Sequence, residues 1–156
     1  MFIIILSFLA ACNTNGKQME TKDAQGNKQE ENIGFKPPDM ESIKDKTDQF
    51  SKSVKQGYGL MNNTHVLLND YVGNQLSCSS CHGDAGLDLS SSFVGVSAVY
   101  PQYNARGGGR VVTIEDRING CMRRSLNGKP LPINSDEMRA MVSYLSYISK
   151  DVPTRI

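Results

Sequence analysis

Apolar residues recur along the chain in three stretches with helical spacing, separated by long polar runs. In the first, Val54, Tyr58 and Met61 fall on one helical face. The segment from Phe50 to about Tyr71 is therefore predicted to be helical in pieces, with Gly57 and Gly59 weakening it. A second helix is predicted to start at Thr113, with Asp116 three residues on, as in a capping box. The third is the clearest. In "NSDEMRAMVSYLSYISK" the side chains of Met138, Met141, Val142, Leu145 and Ile148 share one face, Asn134 and Ser135 supply caps, and Pro153 follows the end. Strand-like runs are limited to "RVVTI" and "FVGVSAVY", and residues 89–109 read as a Ser- and Gly-containing loop region. The pattern predicts a mostly α, loop-rich fold.

The first 46 residues follow a different rule. Phe2 to Ala11 is an apolar run of signal-peptide length, too short to cross a bilayer. It closes on Leu9-Ala10-Ala11-Cys12, which resembles the lipobox of bacterial lipoproteins. That resemblance implies cleavage before Cys12, lipidation of Cys12, and an extracytoplasmic chain held to a membrane surface by its lipid anchor. Residues 12–46 are polar, mixed in charge and poor in large apolar side chains, which predicts a disordered, flexible tether. A single folded domain is expected over residues 47–156.

Composition narrows the class. The whole chain carries a net charge of +1, which excludes a role built on bulk attraction to nucleic acid. Hydrophobic content is 38% and Trp is absent, so a domain of about 110 residues would have a thin core. A large flat apolar cofactor would complete it.

The sequence supplies a motif for one. Cys78-Ser79-Ser80-Cys81-His82 is C-x-x-C-H, the attachment signature of haem c. Cys78 and Cys81 would add to the two vinyl groups, and His82 would ligate the iron. A thioredoxin-like motif would want a βαβ context, a zinc site would need another close Cys/His pair, and a disulfide would leave His82 unexplained. With its helical frame and C-terminal Tyr144 and Tyr147, the chain from about Thr47 resembles a class I cytochrome c. The resemblance implies a single domain wrapping one covalent haem, with the sixth ligand coming from the loop region or from the helix before the last.

The residues leave that ligand open. Methionine is the usual choice, and Met61, Met122, Met138 and Met141 are available; His65 is a further candidate. Cys121 stands beside Met122, and on a helix only one of two adjacent side chains can face the iron. Arg117, Cys121 and Ser125 fall at i, i+4 and i+8, one stripe of a helix. A guanidinium near a thiol favours the thiolate, the form that ligates metals and attacks sulfur. Between Ala105 and Pro130 stand six basic residues (Arg106, Arg110, Arg117, Arg123, Arg124, Lys129) against two acids, whereas no Lys or Arg occurs between Leu60 and Asn104. Such a patch suits small anions, or an acidic partner protein.

Three motifs together, "YVGNQLSCSSCHGDAG", "YPQY" and "GRVVTIEDRINGCMRRSLNGKPLP", resemble the catalytic haem domain of the thiosulfate dehydrogenase family. These cytochromes join two thiosulfates into tetrathionate or run the reverse. The resemblance implies that Cys121 is the sixth ligand and that Arg117 and Ser125 bind the substrate anion. Enzymes of this family usually carry a second C-x-x-C-H domain; this sequence has one such motif, so either another cytochrome or redox protein serves as electron partner, or the domain keeps the fold with a lost or changed reaction. The expected function is thus an oxidoreductase acting on a small sulfur anion. The alternatives are a plain His/Met electron carrier without substrate chemistry, and a haem-based redox sensor or accessory subunit.

Overall fold

The computed structural model describes residues 36–105 and 108–152. Cys12, the predicted signal segment and Arg106 lie outside them. Among the described residues five α-helices occur in chain order: α1 (Gln49–Asn62), α2 (Thr64–Leu67), α3 (Gly83–Gly86), α4 (Ile114–Arg124) and α5 (Asp136–Ile148). Two short strands, β1 (Gln102–Asn104) and β2 (Arg110–Val112), form an antiparallel pair with Tyr103 opposite Val111.

The frame is the packing of α1 against α5. Asp48 caps α1 by accepting the Ser51 N–H, and Ser135 caps α5 by accepting that of Met138. Val54, Leu60 and Met61 from one helix meet Met138, Met141, Tyr144 and Ile148 from the other in a single core. Gly57, expected to weaken α1, is where the helices touch. A β-carbon there would lie 2.1 Å from the Ala140 carbonyl oxygen, so only glycine permits this approach.

Two expectations are corrected. "FVGVSAVY" is not a strand: Gly95 adopts a φ of 85° and Val96–Ala98 forms a 3-10 turn, because the run wraps onto the core as a loop. Ordered packing also starts before Thr47. Met40–Ile43 is a 3-10 turn with Ile43 buried, and the Tyr147 hydroxyl donates to the Asp39 carbonyl and hydrogen-bonds Ser42 Oγ.

α4 is held by both ends. Thr113 and Asp116 form the reciprocal capping pair expected from sequence. Beyond its C-terminus the chain runs backbone to backbone against residues 71–74. Gly73 N–H donates to the Leu126 carbonyl and Lys129 N–H to that of Tyr71. The buried Asn119 amide closes the same region, exchanging two hydrogen bonds with the Leu131 backbone.

Candidate haem site and sulfur-anion site

The C-x-x-C-H segment is pinned to the junction of α1 and α2. Cys78 N–H donates to the buried Thr64 hydroxyl at 3.0 Å, and Ser79 Oγ donates to the Asn62 carbonyl. Ser77 Oγ accepts the His65 N–H and lies 2.9 Å from His65 Nδ1. His65 is thus bound at the back of the motif. Cys78 is half-buried and Cys81 exposed, and neither is in a disulfide. Desolvation pushes the Cys78 thiol upward; the Thr64 hydroxyl works against this, while the Cys121 and Cys81 thiols add to it.

His82 is oriented by the turn on its C-terminal side. Asp84, Ala85 and Gly86 take φ values of 48°, 52° and 89°, a left-handed turn within α3. For the two non-glycine residues this costs about 1–2 kcal/mol each. Tyrosines of the frame hold the turn: Tyr144 donates to the Ala85 carbonyl at 3.2 Å and Tyr58 to the Asp84 carboxylate. The turn brings Ser91 back to His82, whose Nδ1 lies 2.8 Å from the Ser91 carbonyl oxygen. A carbonyl only accepts, so Nδ1 carries the proton and Nε2 keeps its lone pair for a metal. The Phe93 ring stacks on the imidazole with centroids 4.0 Å apart.

Cys121 arrives from α4. Two apolar cavities share Cys78, His82, Phe93 and Cys121 as walls. One extends along Met61, Ile114, Arg117, Ile118, Met122 and Met141; the other reaches Cys81, Ser125 and Leu126. Met138 and His65 line neither. This set fits haem c: two thiols, an imidazole with Nε2 free, apolar walls, and a further sulfur donor from another element. Arg117 and Cys121 stand on one stripe of α4 that Ser125, its C-cap, continues, with Arg117 and Ser125 exposed and Cys121 half-buried. Among the described residues Arg117, Arg123 and Arg124 form no ion pair.

Sequence reasoning missed Thr64, Phe93, the tyrosine pair and the Ser91 carbonyl. The "HGDAG" run does signal tight backbone after His82. Nothing local marks Ser91, which acts through its main chain.

Residues 69–154 match the family described as SoxA/TsdA, cytochrome c domain. The chain belongs to this family. It therefore carries covalent haem c. A thiosulfate dehydrogenase of Psychrobacter arcticus is 47% identical over 120 residues, covering 76% of this chain and 36% of that protein. A thiosulfate dehydrogenase of Allochromatium vinosum is 39% identical over 107 residues, 65% of this chain and 39% of its own length. In structure, thiosulfate dehydrogenase TsdBA from Marichromatium purpuratum superposes with a TM-score of 0.71 at 27% identity, over 77% of this chain and 27% of the other. The chain thus spans little more than a third of the length of these curated relatives.

Proposed function

We propose that this haem c domain interconverts thiosulfate and tetrathionate at Cys121. Cys78 and Cys81 would hold the haem by thioethers, and His82 and Cys121 would ligate its iron. The observation that carries this reading is the convergence of Cys121 and His82 on the same apolar cavities, with Arg117 and Ser125 flanking Cys121 along α4. The haem supplies a one-electron acceptor, so a further redox centre must take the electrons onward.

Arg117 and the Ser125 hydroxyl bind one thiosulfate and present its terminal sulfur to Cys121 Sγ. A sulfur–sulfur bond forms between the Cys121 thiolate and that sulfur, releasing two electrons. A second thiosulfate attacks the sulfur attached to Sγ. The Sγ–S bond breaks, tetrathionate leaves, and the thiolate returns. The sum is two thiosulfate dianions giving one tetrathionate dianion and two electrons. Partly burying Sγ among apolar side chains limits competing attack by water.

Turnover of haem-loaded Cys121→Ser with thiosulfate and a chemical electron acceptor tests the mechanism. Loss of activity supports it; full activity rejects it. A second reading, an electron carrier with His/Met ligation, draws on Met61, Met122 and Met141, which line one of the same cavities. Under it, haem reduction would not depend on a sulfur anion.

For the N-terminal segment we propose lipid attachment at Cys12 and an extracytoplasmic location, on the strength of Leu9-Ala10-Ala11-Cys12. The mass of the mature chain from membranes tests it: a diacylglyceryl-type increment on Cys12 is expected, and an unmodified N-terminus rejects it.

A further inference from the structure

The proposed reaction handles two dianions, whereas Arg117 and Ser125 account for one. We propose that Arg124, lying over Gly120, forms the subsite for the second sulfur anion; this inference rests on the functional reading above.

Helical side chains lean toward the N-terminus of their helix, and Arg124 does so here. Its Nε–H donates to the Gly120 carbonyl at 3.4 Å, which folds the guanidinium back over Gly120, the residue before Cys121. Arg117 and Arg124 are seven residues apart, about two turns, and project on the same flank of α4. Gly120 and Cys121 lie between them. Along α4 Cys121 therefore has one arginine about a turn before it and another about a turn after it. A tetrathionate, charged at both termini, needs that arrangement.

Gly120 is the second observation. It sits in the interior of α4, where glycine weakens a helix, yet it has no positive φ and no crowded neighbour. A β-carbon there would meet one atom within 4 Å, Arg124 Nη2 at 3.8 Å. Gly73 and Gly128 are required by backbone atoms at about 2 Å; Gly120 is not. The space it leaves is bounded by the Arg124 guanidinium and adjoins Cys121, the place an incoming anion needs. Complementing the helix dipole would explain a cation in the last turn, but Arg123 also serves that, and the dipole gives no reason for Gly120.

The test uses the reverse half-reaction, which needs no electron acceptor. The Cys121 thiolate attacks the central disulfide of tetrathionate, an Sγ–S bond forms, the central bond breaks, and thiosulfate leaves with the electron pair. In the haem-loaded chain the adduct on Cys121 is followed by intact mass, beside alkylation by uncharged iodoacetamide. Arg124→Gln is expected to slow adduct formation about tenfold, the loss of one charge-assisted contact, while the iodoacetamide rate stays unchanged. Gly120→Ala is expected to slow the tetrathionate reaction while raising the melting temperature. An unchanged tetrathionate rate in Arg124→Gln, with the native chain reacting, overturns the second-anion subsite alone. Equal slowing with both reagents overturns it too, by showing a general effect on the thiol. Absence of any adduct on the native chain overturns the functional reading and this inference together.

Discussion

A β-carbon on Gly128 would lie 1.9 Å from the carbonyl oxygen of Tyr71. The two segments touch through their backbones, and this contact fixes the end of α4 against the chain leading to Cys78. Asn74 reinforces it, its amide donating to the Ser125 carbonyl at 2.9 Å while its Oδ1 accepts the Leu76 N–H. The register between Cys121 and the haem-attachment motif is thus set by main-chain contacts.

Gly120, inside α4, and Gly128, beyond its C-terminus, should therefore respond oppositely to alanine. Gly128→Ala forces backbone apart and is expected to destabilise the haem-loaded protein by about 2–4 kcal/mol. Gly120→Ala has room and is expected to stabilise it by up to about 1 kcal/mol. Thermal unfolding of both variants measures the contrast; a destabilised Gly120→Ala would contradict the open space found beside it.

Gly57→Ala should be among the most damaging single-methyl changes in the chain. Its β-carbon would meet the Ala140 carbonyl oxygen at 2.1 Å and Tyr144 Cβ at 2.8 Å. The helices must separate across the core, a loss of about 3 kcal/mol or more. Denaturant unfolding followed by circular dichroism checks it.

Alkaline pH should loosen the frame that orients His82. Burial, then the Asp84 and Tyr58 charges, push the Tyr144 phenol well above its ordinary value. The hydrogen bond to Asp84 raises that of Tyr58. A phenol held protonated in the folded state contributes stability that is present below the unfolded value of 10.0 and lost as pH rises beyond it. Stability is expected to be flat in this respect below pH 10 and to fall above it. Tyr144→Phe should flatten that fall and, by leaving the Ala85 carbonyl without its donor, cost about 1–2 kcal/mol at neutral pH. Unfolding midpoints between pH 8 and 12 provide the measurement.

The elements that sequence revealed are those whose signals are local. Thr113 with Asp116, and Ser135 ahead of Met138, mark helix starts because the capping atoms lie within one turn of the groups they cap. C-x-x-C-H is legible for the same reason, as is the stripe of Arg117, Cys121 and Ser125 once α4 is recognised. What sequence hid is tertiary. Gly57 reads as a weak point until Ala140 is placed against it. "FVGVSAVY" has β-branched residues, but their partners are the core and the Ser149 hydroxyl, which accepts the Gly95 N–H, rather than another strand. The polar run up to Lys46 gives no hint that Tyr147, about 100 residues later, holds its end. His82's partner was invisible because Ser91 contributes a carbonyl, which every residue has.

The most direct test of the central claim is an EPR spectrum of the oxidised, haem-loaded protein beside that of Cys121→Ala. The native chain is predicted to give a low-spin thiolate signature that disappears in the variant. A His/Met signature that the substitution leaves unchanged would contradict thiolate ligation, removing Cys121 from the iron and leaving the electron carrier as the better description.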